Sequence, residues 1–243
     1  MPKNNQFFMT AGARTQKHVG EAGLKAYIRK VFNYMGLSLA LTAGASWLLI
    51  RTQVLFHLIN PMTGGLNALG YTVMFAPLGI IIFMAFARNL SAQGSKLALY
   101  AIAALQGMSV SMMALFAGVH NTFQAFLITS ALFGAMSIYG YRTDSDLTKM
   151  GSILMMAVMG LFITSIVGLF MGGVGLWFSY LVVIVFTLII AYDVQQIKQI
   201  YSMTGGKGEL ADKAAVHCAL SLYLDFLNIF INLLRILGAA NRR

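Results

Sequence analysis

The chain has 243 residues, 58% of them hydrophobic and only 10% charged, with a formal net charge of +10 and a mean hydropathy of +0.75. A water-soluble domain of this length needs far less apolar surface, so the composition specifies an all-α polytopic membrane protein. One cysteine, Cys218, excludes an internal disulfide and a cysteine-based metal site, and no basic–aromatic surface for nucleic acid is left once the apolar spans are set aside.

The chain opens with a basic tail, residues 1–30, holding Lys3, Arg14, Lys17, Lys25, Arg29 and Lys30. The first apolar run begins near Val31 without a small-residue cleavage pattern, so it reads as a retained helix rather than a signal peptide. Crossing the ~30 Å hydrocarbon core takes about 20 helical residues. Seven segments qualify: 31–50, 66–87, 97–118, 122–141, 150–171, 176–200 and 216–238. Residues 31–238 thus form the transmembrane domain, and 239–243 a short C-terminal tail. Connections as short as 119–121 and 172–175 demand tight hairpins, hence one bundle. Pro77 should kink the second span. Gly36, Ala40 and Gly44 on the first span, and Gly160, Thr164 and Gly168 on the fifth, fall at the four-residue spacing that lets helices pack closely in lipid. The many methionines lie in apolar spans and read as core filler rather than copper ligands.

Orientation follows from Lys and Arg. The tail and the second–third, fourth–fifth and sixth–seventh connections are basic (Arg88 and Lys96; Arg142 and Lys149; Lys198, Lys207 and Lys213), whereas the opposite connections hold only Arg51. The N-terminus is therefore cytoplasmic. Seven crossings put Arg242 and Arg243 outside, which the same rule disfavours. The last segment either crosses regardless or re-enters, and a full crossing is the preferred reading. The basic tail and short loops suit a bacterial inner membrane.

Five of the seven acidic residues lie in the tail or in polar loops; Asp193 and Asp225 lie inside the sixth and seventh segments. An aspartate at a helix centre costs ~2.5–3.5 kcal/mol to insert, so each must face protein, water or an ion. Both are sixteen residues from Glu209, in the turn between two consecutive antiparallel helices. Equal rise per residue puts them at similar depth, towards the cytoplasmic half. On the seventh helix Cys218, Ser221, Asp225, Asn228, Asn232 and Arg235 recur every three or four residues, a polar stripe that should face the bundle interior. Gln196 lies one turn beyond Asp193 on roughly the same face. Two carboxylates ~4 Å apart repel by about 4 kcal/mol at an effective dielectric near 20. They would titrate as one unit, and when deprotonated they offer hard oxygens suited to calcium. The alternative on spacing alone is that they are interhelical hydrogen-bond glue, worth ~0.6 kcal/mol on average.

AYDVQQIKQIY at 191–201 and LSLYLDFLNIFINLLRILG at 220–238 resemble the paired signature of the Bax inhibitor-1 family of seven-helix membrane proteins, and FGAMSIYGYRTDSDLTKMG at 133–151 resembles its bacterial branch. The likeness runs from about Thr122 to Gly238. It implies a bundle with a central seventh helix and six around it, and a pH-sensitive calcium leak governed by an aspartate pair at Asp193 and Asp225. No cofactor is implied, calcium being the transported ion. It also implies an arginine on the second helix that pairs with the sixth-helix aspartate and locks the pore. Arg88 is the candidate gate partner, and an ordinary positive-inside anchor is its other reading. Val194 departs from the threonine usual after Tyr-Asp, and no acidic residue lies in the second span. Family membership further implies stress protection, and restraint of a membrane-bound protease by some bacterial relatives. A regulatory role through a membrane-protein partner therefore stands beside ion leak.

Other classes fit less well. An intramembrane aspartyl protease also sets Tyr-Asp on one helix and Asp on the next, but its Gly-x-Gly-Asp motif is replaced here by Leu222, Tyr223, Leu224 and Asp225. A retinal-type receptor needs a lysine inside the last apolar span, 216–238, which holds none, Lys213 preceding it. His18, His57, His120 and His217 are scattered over separate segments, unlike a metal hydrolase. His217, two turns below Asp225, reads as a helix-end histidine in water before a proton relay. The expectation is a membrane protein without enzymatic chemistry, working with the lipid bilayer, calcium and protons.

Overall fold

In the computed structural model the described residues are 4–58, 67–87, 90–143 and 145–240. They form seven long helices and no strand: α1 Asn4–Arg51, α2 Ala68–Phe86, α3 Ala92–Ala117, α4 Val119–Arg142, α5 Thr148–Phe170, α6 Leu176–Thr204 and α7 Glu209–Ala240. A short 3₁₀ turn, Val54–Leu58, follows α1. All seven helices contain a stretch long and apolar enough to cross a membrane.

Local chemistry explains the boundaries. Asn67 caps α2 by accepting from the Gly70 N–H, and Ser91 caps α3 by accepting from Gly94. These side chains take orphan donors that a helix start leaves open. One residue, Gly118, separates α3 from α4. Its φ of +83° turns the chain while its N–H still bonds Ala114 and its carbonyl accepts from Thr122. At the other end Gly205 closes α6 in the left-handed conformation. Pro77 lies buried inside α2, which runs through it as one helix. The largest departure from the expected elements is α1, which begins at Asn4 rather than near Val31. The hydrophobic pattern that marked residue 31 records where the helix enters lipid, not where it starts, and residues 4–30 contain no proline to stop it.

α7 is the centre of the bundle. It packs against α1, α3, α4 and α6, while α2 leans chiefly on α3 and α5 on α6. The expected ring of six around α7 is therefore four helices with two outside them. Leu222, Tyr223 and Ile229 on α7 are fully buried. The Tyr223 hydroxyl meets Thr42 Oγ1 at 2.8 Å, and Thr42 reaches the Ala103 carbonyl at 2.9 Å, tying α7, α1 and α3 together. The outer faces carry Met155, Met156, Met159, Phe162 and Ile163 on α5 and similar residues elsewhere, a surface for acyl chains rather than water. Those three methionines are thus lipid-facing, whereas Met35, Met84 and Met108 fill the core as expected.

The small-residue spacing misleads. Gly36, Ala40 and Gly44 lie exposed on α1, and a Cβ added at Gly36, Gly44 or Gly160 would meet nothing within 4 Å. α1 instead turns Val31, Met35, Ser38, Thr42 and Ser46 inward. The close approaches occur at Gly107, whose Cβ would lie 2.6 Å from Ala45 Cβ, and at Gly140, whose Cβ would lie 2.3 Å from the Ala191 carbonyl oxygen. The second contact seats α4 against α6 two residues before Asp193.

Candidate functional site

Asp193 and Asp225 meet. Their carboxyl groups are close enough to share a hydrogen bond across the α6–α7 contact. Asp225 is buried, whereas Asp193 is half-buried. Two antiparallel helices joined by a short turn bring residues equidistant from that turn to the same level, the relation the sequence contains. Asp225 Oδ2 has no hydrogen-bond partner among the described residues. A buried acceptor left bare costs roughly 1–3 kcal/mol, so the fold maintains this oxygen at an expense that packing alone does not require. Cys218, two turns nearer the cytoplasm on α7 by way of Ser221, stands close enough to Asp193 to feel its charge.

Beyond Asp225 towards the outer end, the polar stripe continues in part. Asn228 is half-buried and donates to the Leu224 carbonyl at 2.9 Å; Asn232 is buried and donates to the Asn228 carbonyl at 2.9 Å. Both amide nitrogens fold back on α7, and Asn232 Oδ1 is left without a partner. Seven residues, about 10 Å of helix, thus separate two bare buried oxygens, Asp225 Oδ2 and Asn232 Oδ1. Arg235 follows, exposed, at the edge of a cavity of about 370 Å³ between the outer ends of α3, α6 and α7.

Two stripe members go elsewhere. Ser221 is exposed rather than interior. Gln196 turns away from the carboxyls and donates to the Tyr192 hydroxyl, on the side of α6 where the Tyr192 ring covers Gly151 of α5. Three residues on a helix are 300°, and the remaining 60° carries Gln196 onto the neighbouring face. Arg88, the candidate gate partner, lies outside the described residues. His217 is half-buried in the third turn of α7.

The structure adds residues that spacing did not single out. Gln195, buried, accepts from the Leu147 N–H at 2.8 Å and donates to the Ser145 carbonyl at 2.8 Å, so it clamps the α4–α5 connection onto α6. Tandem glutamines follow Asp193, and only the packing of the loop distinguishes the clamp from its neighbour. At the cytoplasmic end, Lys30 pairs with Asp212, Tyr27 donates to the Ala211 carbonyl at 3.1 Å, and Tyr201 donates to the Gly20 carbonyl at 3.2 Å. α1 thereby grips both arms of the hairpin that bears the two aspartates.

A seven-helix membrane bundle with a carboxyl pair set between its central helix and the helix before it defines the class. The chain belongs to the Bax inhibitor family: residues 24–242 match the family model described as inhibitor of apoptosis-promoting Bax1. It is similar to the uncharacterized protein RP147 of Rickettsia prowazekii, with 42% identity over 92% of each chain. It is also similar to the inner membrane protein YbhL of Escherichia coli, 33% identical over 91% of this chain and 94% of the relative. The uncharacterized membrane protein SpyM3_0260 of Streptococcus pyogenes is 34% identical over 90% and 94% respectively. The chain is a multi-pass membrane protein, and the inner-membrane location in YbhL's name agrees with its seven apolar helices.

Proposed function

We propose that this protein is a pH-sensitive calcium leak, without enzymatic activity, gated by the Asp193–Asp225 pair. The observation that carries the reading is the contact of two carboxyls inside the membrane domain, one of them buried with an unpartnered oxygen. With one proton shared, the pair is held together by a hydrogen bond and α6 stays against α7. With both protons lost, two negative charges face each other in a poorly hydrated interior. They repel, and they attract a divalent cation. Calcium takes about six to eight oxygen ligands, and among the described residues no third carboxylate, histidine or thiol joins the pair in a cluster. Such a sparse site favours brief occupancy over retention, as passage requires. The bare Asn232 oxygen about 10 Å further along α7 extends the same acceptor chemistry towards the outer end.

The test is calcium uptake into liposomes holding the purified protein, compared at about pH 6 and pH 8, so that loss of a proton from the coupled pair is read as a change in uptake. Uptake should be greater at the higher pH. Asp193→Asn and Asp225→Asn should each remove most of that difference, because an amide neither releases a proton nor provides an anionic oxygen. Absence of uptake at either pH would overturn the leak reading and leave regulation through a membrane-protein partner in its place.

A further inference from the structure

The cytoplasmic ends of α1 and α4 enclose a cleft of about 580 Å³ that the carboxyl pair does not use. The two helices meet through the rings of Phe32 and Phe133, whose centroids are 6.0 Å apart. From there towards the cytoplasm they line an open cleft, with Val194 of α6 at its base. Its rim is basic. Lys25 and Arg29 stand exposed on α1, and Arg142 on the last turn of α4. Lys198 joins them, donating to the Tyr141 carbonyl at 3.0 Å and lying over the Tyr141 ring. Among the described residues, none of these four cations pairs with a carboxylate; the ion pair present is Lys30 with Asp212. Deeper in, the wall is apolar except for Ser137, which is only 8% exposed and whose hydroxyl has no hydrogen-bond partner among the described residues. A membrane serine ordinarily donates to the carbonyl one turn back, so a free buried hydroxyl facing the cleft is an offered donor.

We infer that this cleft is a binding site for an anionic phospholipid of the cytoplasmic leaflet. Lys25 and Arg142 lie at the level of the headgroups, about 10 Å of helix from Phe32 and Gly134, with Arg29 about 4.5 Å of helix from Phe32, and the apolar floor continues into the depth of an acyl chain. Basic pockets between transmembrane helices on the cytoplasmic side suit such headgroups, with each Lys or Arg near the surface contributing about 1 kcal/mol. The phosphate answers the rim, a glycerol ester oxygen answers Ser137, and one chain lies against Phe32 and Ile138. A free phosphate satisfies the rim and leaves the apolar cleft empty. The inference does not depend on any role for Asp193 and Asp225.

Native mass spectrometry of the full chain in detergent, titrated with phosphatidylglycerol or with phosphatidylcholine, tests it. The wild type should retain phosphatidylglycerol in preference. Arg29→Gln with Arg142→Gln should lower that retention by about tenfold or more, while Lys149→Gln with Lys207→Gln, equal in charge but outside the cleft, should change it little. Gly134→Leu should lower it too with no change of charge: nothing lies within 4 Å of a Cβ there, so the side chain enters the cleft rather than a neighbour. If the arginine pair perturbs folding, Gly134→Leu still decides. Unchanged retention in either cleft variant, equal loss in both charge pairs, or displacement of the lipid by inorganic phosphate would each overturn the proposal.

Discussion

At the scale of single residues, Asp225 and Tyr223 show two ways a buried oxygen is treated. Thr42 spends its one hydroxyl proton on a carbonyl, so Tyr223 is the donor to Thr42 and is satisfied; Asp225 Oδ2 is not. Tyr223→Phe should therefore cost little, about 0.6 kcal/mol, the average for a polar contact between membrane helices. Denaturant unfolding would measure it, and a cost of several kcal/mol would mean that the Thr42 contact organises the bundle. Asp146, outside the spans, provides a control for pH. Hydrogen bonds from the Thr148 hydroxyl and from the Thr148 N–H, the latter at 2.9 Å, hold its carboxylate below the usual carboxylate range. A group with a depressed pKa gives its stability at pH above the ordinary value of about 4 and loses it as pH falls through the folded value. Asp146→Asn should thus leave the response between about pH 6 and pH 8 intact; an altered response would link the α4–α5 loop to gating. The aspartate pair was legible in the sequence because equal distances from a turn become equal depths on antiparallel helices. Gln196 was misplaced because being one turn away does not mean sharing a face, and Tyr192 offered it a nearer partner.

At the scale of helices, close contact is decided by which face turns inward. The sequence offered two small-residue rows, and the one on α1 points outward because Val31, Met35, Ser38, Thr42 and Ser46 form a competing stripe that packs. No spacing rule separates two such stripes on one helix. The contrast is testable. Gly140→Leu should force α4 from α6, since even a Cβ would sit 2.3 Å from the Ala191 oxygen, whereas Gly36→Leu should be accepted, since its Cβ would meet nothing within 4 Å. Overpacking of the first kind costs about 1–3 kcal/mol or more. Thermal unfolding in detergent would compare them, and equal destabilisation would contradict the helix orientations. Gly140→Leu should also disturb calcium uptake, because the displaced segment of α6 leads directly into Asp193.

At the scale of the molecule, the hydrophobic pattern and the basic loops specified seven helices and their direction, and left open whether the last one crosses. α7 is a single helix of 32 residues, about 48 Å at 1.5 Å per residue, longer than the ~30 Å core. It should cross, leaving the C-terminus outside; a reporter fused after Ala240 that is active only in the cytoplasm would contradict this. What the sequence could not convey was the grip of α1 on the α6–α7 hairpin. That grip arises from Tyr27, Lys30 and Tyr201 meeting across about 180 residues of chain. Lys30 and Asp212 are about a third exposed, so solvent screening keeps their pair to within about 1 kcal/mol.

In the leak we propose, the Asp193–Asp225 contact makes the bundle responsive to protons. Calcium uptake into liposomes by the Asp193→Asn, Asp225→Asn double variant, set beside the wild type at about pH 6 and pH 8, tests it most directly. Uptake should rise with pH in the wild type and should not change with pH in the double variant. A pH response that survives both substitutions would contradict it.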